Sequence, residues 1–239
     1  VSIELNGESK LKSGEKHAGL EKNNGGRLTI ADEDKNGKLT AEGGDWGAVI
    51  GGGDKGDGSN IIISGGDVKA TSGAGSAGIG GGDSGAGIGG GSEGNGNNIA
   101  ISSGEVTATS NGCGAGIGGG GGDGSDITVS GDAKLKVQGG VGDGIYGAGA
   151  GIGNGGSCDE LAIPVTGAEV VPDTSGLTTN GSIEYYAPGA YMENDTPTST
   201  TTGKPTEPTE PEQPEAKRGA AAPPLPRDRQ GRQGHCLHG

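Results

Sequence analysis

Five carboxylates sit in glycine-rich turns. Asp54 and Asp57 lie in Gly53-Asp54-Lys55-Gly56-Asp57-Gly58, Asp83 in Gly82-Asp83-Ser84-Gly85, and Asp123 and Asp126 in Gly121-Gly122-Asp123-Gly124-Ser125-Asp126. Carboxylates and carbonyls from stacked turns are the hard oxygen donors that calcium takes. The last run nearly matches a calcium-binding nonapeptide, departing from it at Thr128, where a large apolar residue belongs, and in not recurring every nine residues. Asp and Gly also favour turns for their own sake. The five are therefore either metal ligands or turn formers, and calcium is an optional cofactor rather than a required one.

A second chemistry is sugar recognition. Trp46, the one indole of the chain, offers the flat aromatic face that stacks on a sugar ring. Its parity with Ala48 and Ile50 also suits packing inward or into a corner. Polar side chains on alternate positions supply hydroxyl-binding groups in rows: Lys38, Asp67, Glu105, Lys134; then Thr40, Lys69, Thr107, Lys136; then Glu42, Thr71, Thr109, Gln138. Lys69, Thr71, Glu105, Thr107, Thr109 and Lys136 join Trp46 as candidate ligand contacts, although any solvated sheet face shows similar residues. Thr29, Ile62, Ala100, Thr128 and Ala162 make a flatter, more apolar row suited to a protein partner. Catalysis is not indicated: His17 is the only histidine before the tail, and spacing brings no nucleophile, base and orienting group together.

These side chains need elements to place them, and the elements repeat. Short β-branched segments begin at Leu28, Ile61, Ile99, Ile127 and Leu161; each of the first four precedes a second alternating segment, such as Asp67-Val68-Lys69-Ala70 or Glu105-Val106-Thr107-Ala108. A third reads Val49-Ile50-Gly51, Ala77-Gly78-Ile79-Gly80, Ala86-Gly87-Ile88-Gly89, Ala115-Gly116-Ile117-Gly118 and Ala150-Gly151-Ile152-Gly153. The period within each piece is two, so the pieces are strands with alternate faces in and out. Ile61, Ile63, Val68, Ala70, Ala77 and Ile79 are expected inside one unit; Ile99, Ile101, Val106, Ala108, Ala115 and Ile117 match them in the next. Three strands per unit of about 30 residues predict an all-β right-handed parallel β-helix, a solenoid whose single turns gain stability only by stacking.

The expected domain spans residues 1–192. Its opening coil has Ile3, Leu5, Leu11 and Leu20 inside, and its cap carries Tyr185, Tyr186, Tyr191 and Met192. Residues 193–215, rich in Thr, Pro and Glu, read as an extended spacer. Residues 216–239 form a basic disordered tail, with Lys217, Arg218, Arg227, Arg229 and Arg232 against Asp228. With 59 Gly, no Phe and four Tyr, the chain excludes a conventional aromatic core. A net charge of −14 argues against nucleic acid as partner, because phosphate binding relies on cationic contacts. No apolar run reaches the roughly 20 residues that span a bilayer, so no transmembrane segment is expected. Cys113, Cys158 and Cys236 are too few and too widely spaced for a disulfide framework. A start at Val1 without a signal peptide reads as a fragment of a larger precursor.

The run Val1 to Gly53, closing on Trp46-Gly47-Ala48-Val49-Ile50-Gly51-Gly52-Gly53, resembles a repeat of large surface proteins of gut Firmicutes. The segments at 61–91 and 99–120, with their Gly-Ala-Gly-Ile-Gly-Gly-Gly copies, resemble it again. The resemblance implies a calcium-associated β-helix of the carbohydrate-binding-domain-like adhesin type. It also implies a secreted or cell-wall-attached, extracellular location. The Leu-Pro-x-Thr-Gly anchor usual in such proteins is absent; Leu225-Pro226-Arg227 does not supply it. The expected protein is a non-catalytic, monomeric adhesion module that takes polysaccharide or host glycan. A structural stalk or a repeat that binds host protein is the alternative.

Overall fold

A computed structural model describes residues 1–22, 24–70, 85–110, 112–142, 146–157, 163–190 and 192–204. Val1–Thr206 form one compact unit, and the second, Glu207–Gly239, lies outside the described residues. The described chain is all β and contains no helix. Its strands are β1 (Ser2–Glu4), β2 (Glu8–Lys12), β3 (Leu20–Glu21), β4 (Leu28–Ala31), β5 (Lys38–Glu42), β6 (Ile50–Gly51), β7 (Ile61–Ala70) and β8 (Ile88–Gly89). They continue with β9 (Gly96–Thr109), β10 (Ile117–Gly118), β11 (Gly124–Val129), β12 (Lys134–Gln138), β13 (Ile152–Gly153), β14 (Ser182–Tyr186) and β15 (Ser199–Thr202).

A ten-stranded sheet holds the first and second segments of each repeat, and a five-stranded sheet holds the third in the order β13-β10-β8-β6-β3. Every strand pair is parallel except β14 with β15. The rows stack in register: Ile30 on Ile63 on Ile101 on Val129, and Leu39 on Val68 on Val106 on Leu135 on Ile183. Stacking identical parity keeps each apolar set on one side, and a one-residue slip would turn all of it to water. Ile61, Ile63, Val68, Ala70, Ile99, Ile101, Ala108, Ala115 and Ile117 are fully buried and Val106 is nearly so, as the alternation requires. Leu5 is buried too, while Ile3, Leu11 and Leu20 pack at the margin of the core.

Two glycine rows let the chain turn this tightly. In β7 and β9 the first and second segments fuse across an irregularity that contains Gly66 and Gly104, with φ of +91° and +93°. In the smaller sheet, Gly51, Gly89, Gly118 and Gly153 share φ between +134° and +142°. A Cβ on Gly51 would lie 1.9 Å from the Gly89 carbonyl oxygen, and one on Gly118 would lie 2.0 Å from that of Gly153. Only glycine lets successive repeats approach so closely.

Ile88 and Gly89, in one of the two expected Ala-Gly-Ile-Gly copies of this repeat, form the third strand between β6 and β10; Ala77 and Ile79, in the other, lie outside the described residues. The structure corrects the expected assignment in two places. The place beside Thr128 is taken by Asp173, and that beside Gly131 by Leu177, whereas Ile163 is 84% exposed. Pro164 follows Ile163, has no N–H to donate to a ladder and restricts the residue before it. The segment expected to be a spacer from residue 193 supplies β15, four β-branched or hydroxyl residues paired antiparallel with β14. Cys113, whose pairing the count and spacing of the cysteines leave open, is fully buried and disulfide-bonded.

Candidate ligand-binding face

The second strands present their outward side chains in three straight rows, because parallel register carries each position from repeat to repeat. The first runs Glu8, Lys38, Asp67, Glu105, Lys134 and Ser182. Its charges neutralise one another: Lys38 lies 3.2 Å from Asp67 and Lys134 lies 3.8 Å from Glu105. The middle row runs Lys10, Thr40, Lys69, Thr107, Lys136 and Glu184. The third row pairs Lys12 with Glu42 at 2.7 Å and places Thr109 against Gln138. Gln138 is only 2% exposed, so its side chain does not extend into water as the row expected of it.

Four of the expected contacts come together here. Lys69, Thr107, Thr109 and Lys136 line one groove of about 370 Å³, walled on the other side by Met192, Glu193 and Asn194. The Thr109 hydroxyl approaches Met192 Sδ at 3.8 Å. Glu105 borders the same face in an adjoining hollow of about 230 Å³ that shares Thr107 and Lys136. Thr71 lies outside the described residues. Hydroxyls and ammonium groups facing an open, ungated groove can hold a ligand's oxygens by hydrogen bonds and charge.

Trp46 does not join them. It occupies a corner before β6 with φ of +73°, is 39% exposed, and its carbonyl accepts the Ser92 N–H at 2.9 Å. Lys16, four residues before Leu20 as Trp46 is before Ile50, has the same left-handed backbone. A left-handed residue breaks strict alternation, and of the two places that parity allowed the indole, inside or at a corner, the structure takes the corner.

The turn carboxylates are dispersed among protein partners. Asp57 Oδ1 accepts both the backbone N–H of Asn95, at 2.8 Å, and its side-chain amide. Asn95 Oδ1 accepts the Asp123 N–H, Asp123 Oδ1 accepts the Asn154 amide at 2.9 Å, and Asn154 Oδ1 accepts the Gly124 N–H. The result is an Asp-Asn-Asp-Asn ladder that ties repeat to repeat. Asp54 lies 3.7 Å from the Lys16 ammonium. Asp126 repeats the left-handed corner of Asn60 and Asn98, and its carboxylate accepts the Ser125 hydroxyl at 3.0 Å. Asp83 lies outside the described residues. Among the described residues no three His, Cys, Asp or Glu side chains converge on a metal position.

Two further hollows were not foreseen. One of about 560 Å³ is lined by Lys16, His17, Glu21, Lys22, Asp54 and Asp57 among others; His17 Nδ1 lies 2.7 Å from Glu21 Oε2, and burial pushes the Lys22 ammonium below its usual pKa. The other, of about 520 Å³, lies where the core ends, between Val171, Pro172 and Tyr185 and the strand β15. Desolvation, with help from the Glu169 charge, pushes the Tyr185 phenol up to about 12. Both Glu169 oxygens accept backbone N–H groups, of Gly151 and Ile152, closing the last strand of the smaller sheet.

Among the described residues no helix is long and apolar enough to cross a membrane. The chain matches no protein-family model, no curated protein and no solved structure.

Proposed function

We propose that the protein is a non-catalytic extracellular binding module of a bacterial surface protein, holding carbohydrate along the outward face of its second strands. In this reading the stacked repeats close into a right-handed parallel β-helix with three strands per repeat, a rigid rod that keeps the face straight. The observation that carries it is the groove where Lys69, Thr107, Thr109 and Lys136 meet from three successive strands. The disulfide at Cys113 supports the extracellular location, since such bonds persist in oxidising compartments. The apolar hollow beside Val171 and Tyr185 favours a second reading, a stalk or repeat that docks a host protein at its end. A glycan array probed with the full chain separates them. Saturable binding that weakens in Thr107→Ala supports carbohydrate recognition on this face, and an array silent across neutral and charged glycans overturns it.

A further inference from the structure

The six lysines of the second strands fall into two sets. Lys12, Lys38 and Lys134 each stand within 4.0 Å of a carboxylate: Glu42, Asp67 and Glu105 respectively. Lys10, Lys69 and Lys136 have no ion-pair partner among the described residues, although acids outnumber bases 31 to 17 in the chain. All three are exposed, and all three lie in the same row. Thr40 separates Lys10 from Lys69, and Thr107 separates Lys69 from Lys136. With strands about 4.8 Å apart, the unpaired cations recur about every 9.6 Å along a line crossing the strands, and hydroxyls stand halfway between.

We infer that the ligand of this face is a linear acidic polysaccharide lying along the middle row, with a negative charge on every second sugar opposite Lys10, Lys69 and Lys136. This rests on the carbohydrate reading above and names its chemical class. A charge repeat of about 9.6 Å fits alternating acidic and neutral sugars. A nucleic-acid strand carries a phosphate on every nucleotide, so a strand along this row would set many of its charges against Thr40 and Thr107 instead of a cation. The flanking rows favour the same occupant: their ion pairs neutralise charge without offering free cations, so the attraction is confined to one line. Neutral sugars of the polymer would face Thr40 and Thr107, whose hydroxyls both donate and accept.

The test is calorimetry with the full chain and four probes: hyaluronate, with a carboxylate on every second sugar; polygalacturonate, with one on every sugar; neutral dextran; and single-stranded RNA. Hyaluronate is expected to bind best, to weaken as salt screens the contacts, and to lose about tenfold in affinity, or 1.4 kcal/mol, in Lys69→Gln/Lys136→Gln. Lys55→Gln, whose ion pair with Glu93 lies in the turns away from the second strands, is expected to leave affinity unchanged, and circular dichroism of each variant checks that the fold is kept. A hyaluronate hexasaccharide is expected to match the polymer, because it carries three charges. Tighter binding of dextran, unaffected by the lysine variants, would overturn the acidic ligand and leave the carbohydrate reading standing. Preferential binding of RNA would overturn both, as would no binding of any probe.

Discussion

Replacing Gly118 with Ala tests the stacking distance on which every row depends. At φ +134° the backbone of Gly118 is in a region that L side chains rarely adopt, and the strain of holding Ala there is about 1–3 kcal/mol. Its Cβ would stand 2.0 Å from the Gly153 carbonyl oxygen, about 1 Å closer than Cβ atoms approach anything. That carbonyl also accepts the Gly119 N–H at 2.9 Å, so a retreat of about 1 Å breaks the bond and leaves a buried pair unsatisfied, at about 1–3 kcal/mol. The gain of about 0.4–1 kcal/mol from a stiffer unfolded chain offsets little of this. Net destabilisation of about 2–5 kcal/mol is expected, seen in a thermal melt followed by circular dichroism as a fall of about 5–15 °C for a domain of this size. Gly25→Ala is the control: nothing lies within 4 Å of its added Cβ, so a change within about 0.5 kcal/mol is expected. If the two substitutions melt together, the third strands are not stacked at this spacing and the account of the glycine rows is wrong.

Four further outcomes follow from the same geometry. Ile101→Asp buries an unpaired charge and should cost several kcal/mol, whereas Ala100→Asp, half-exposed on the outer face, should be nearly silent in the same melt; equal damage would show the in-out parity to be reversed. Tyr185 and Tyr186 have folded pKa values pushed up to about 12, so their neutral forms favour the fold: stability should be full below about pH 10 and fall as pH rises from 10 to 12. Tyr185→Phe should flatten that slope in melts across the range, and an unchanged slope would remove Tyr185 from the cause. Because Asp54, Asp57, Asp123 and Asp126 already hold protein partners, melting in millimolar calcium and in chelator should coincide; a calcium-dependent rise of several degrees would place an ion among them. Limited proteolysis should leave a fragment that retains β15, and a resistant core ending at residue 192 would show that Ser199–Thr202 do not pair with β14.

How much of this could be read in the sequence depended on whether a residue's neighbours were local or a repeat away. Ile61, Ile63, Val68 and Ala70 declared their burial through strict alternation, and Ile99, Ile101, Val106 and Ala108 declared it again 38 residues on. The pairing of Ile88 with β6 and β10 was not legible, because Ile88 stands in one of two identical Ala-Gly-Ile-Gly-Gly-Gly copies and the pairing is a matter of register. For Trp46 alternation left the interior and a corner both open, and the left-handed backbone that selects the corner is not visible in the period. The Asp57-Asn95-Asp123-Asn154 ladder had a signal, an Asp or Asn recurring at turns one repeat apart, but alternation templates weigh apolar residues and passed over it. Lys69, Thr107 and Lys136 were legible as one row. Their lack of partners was not, since that depends on which neighbouring carboxylates turn toward Lys38 and Lys134 instead.

The central claim is that the outward face of the second strands, not the Trp46 corner or the Tyr185 hollow, receives the ligand. Its most direct measurement is an amide NMR titration of the labelled full chain with hyaluronate hexasaccharide. Shifts that saturate together are expected at Lys10, Thr40, Lys69, Thr107, Thr109 and Lys136, with Trp46 and Val171 unmoved. Saturating shifts centred on Trp46 or on Val171 and Tyr185, with the middle row silent, would contradict it.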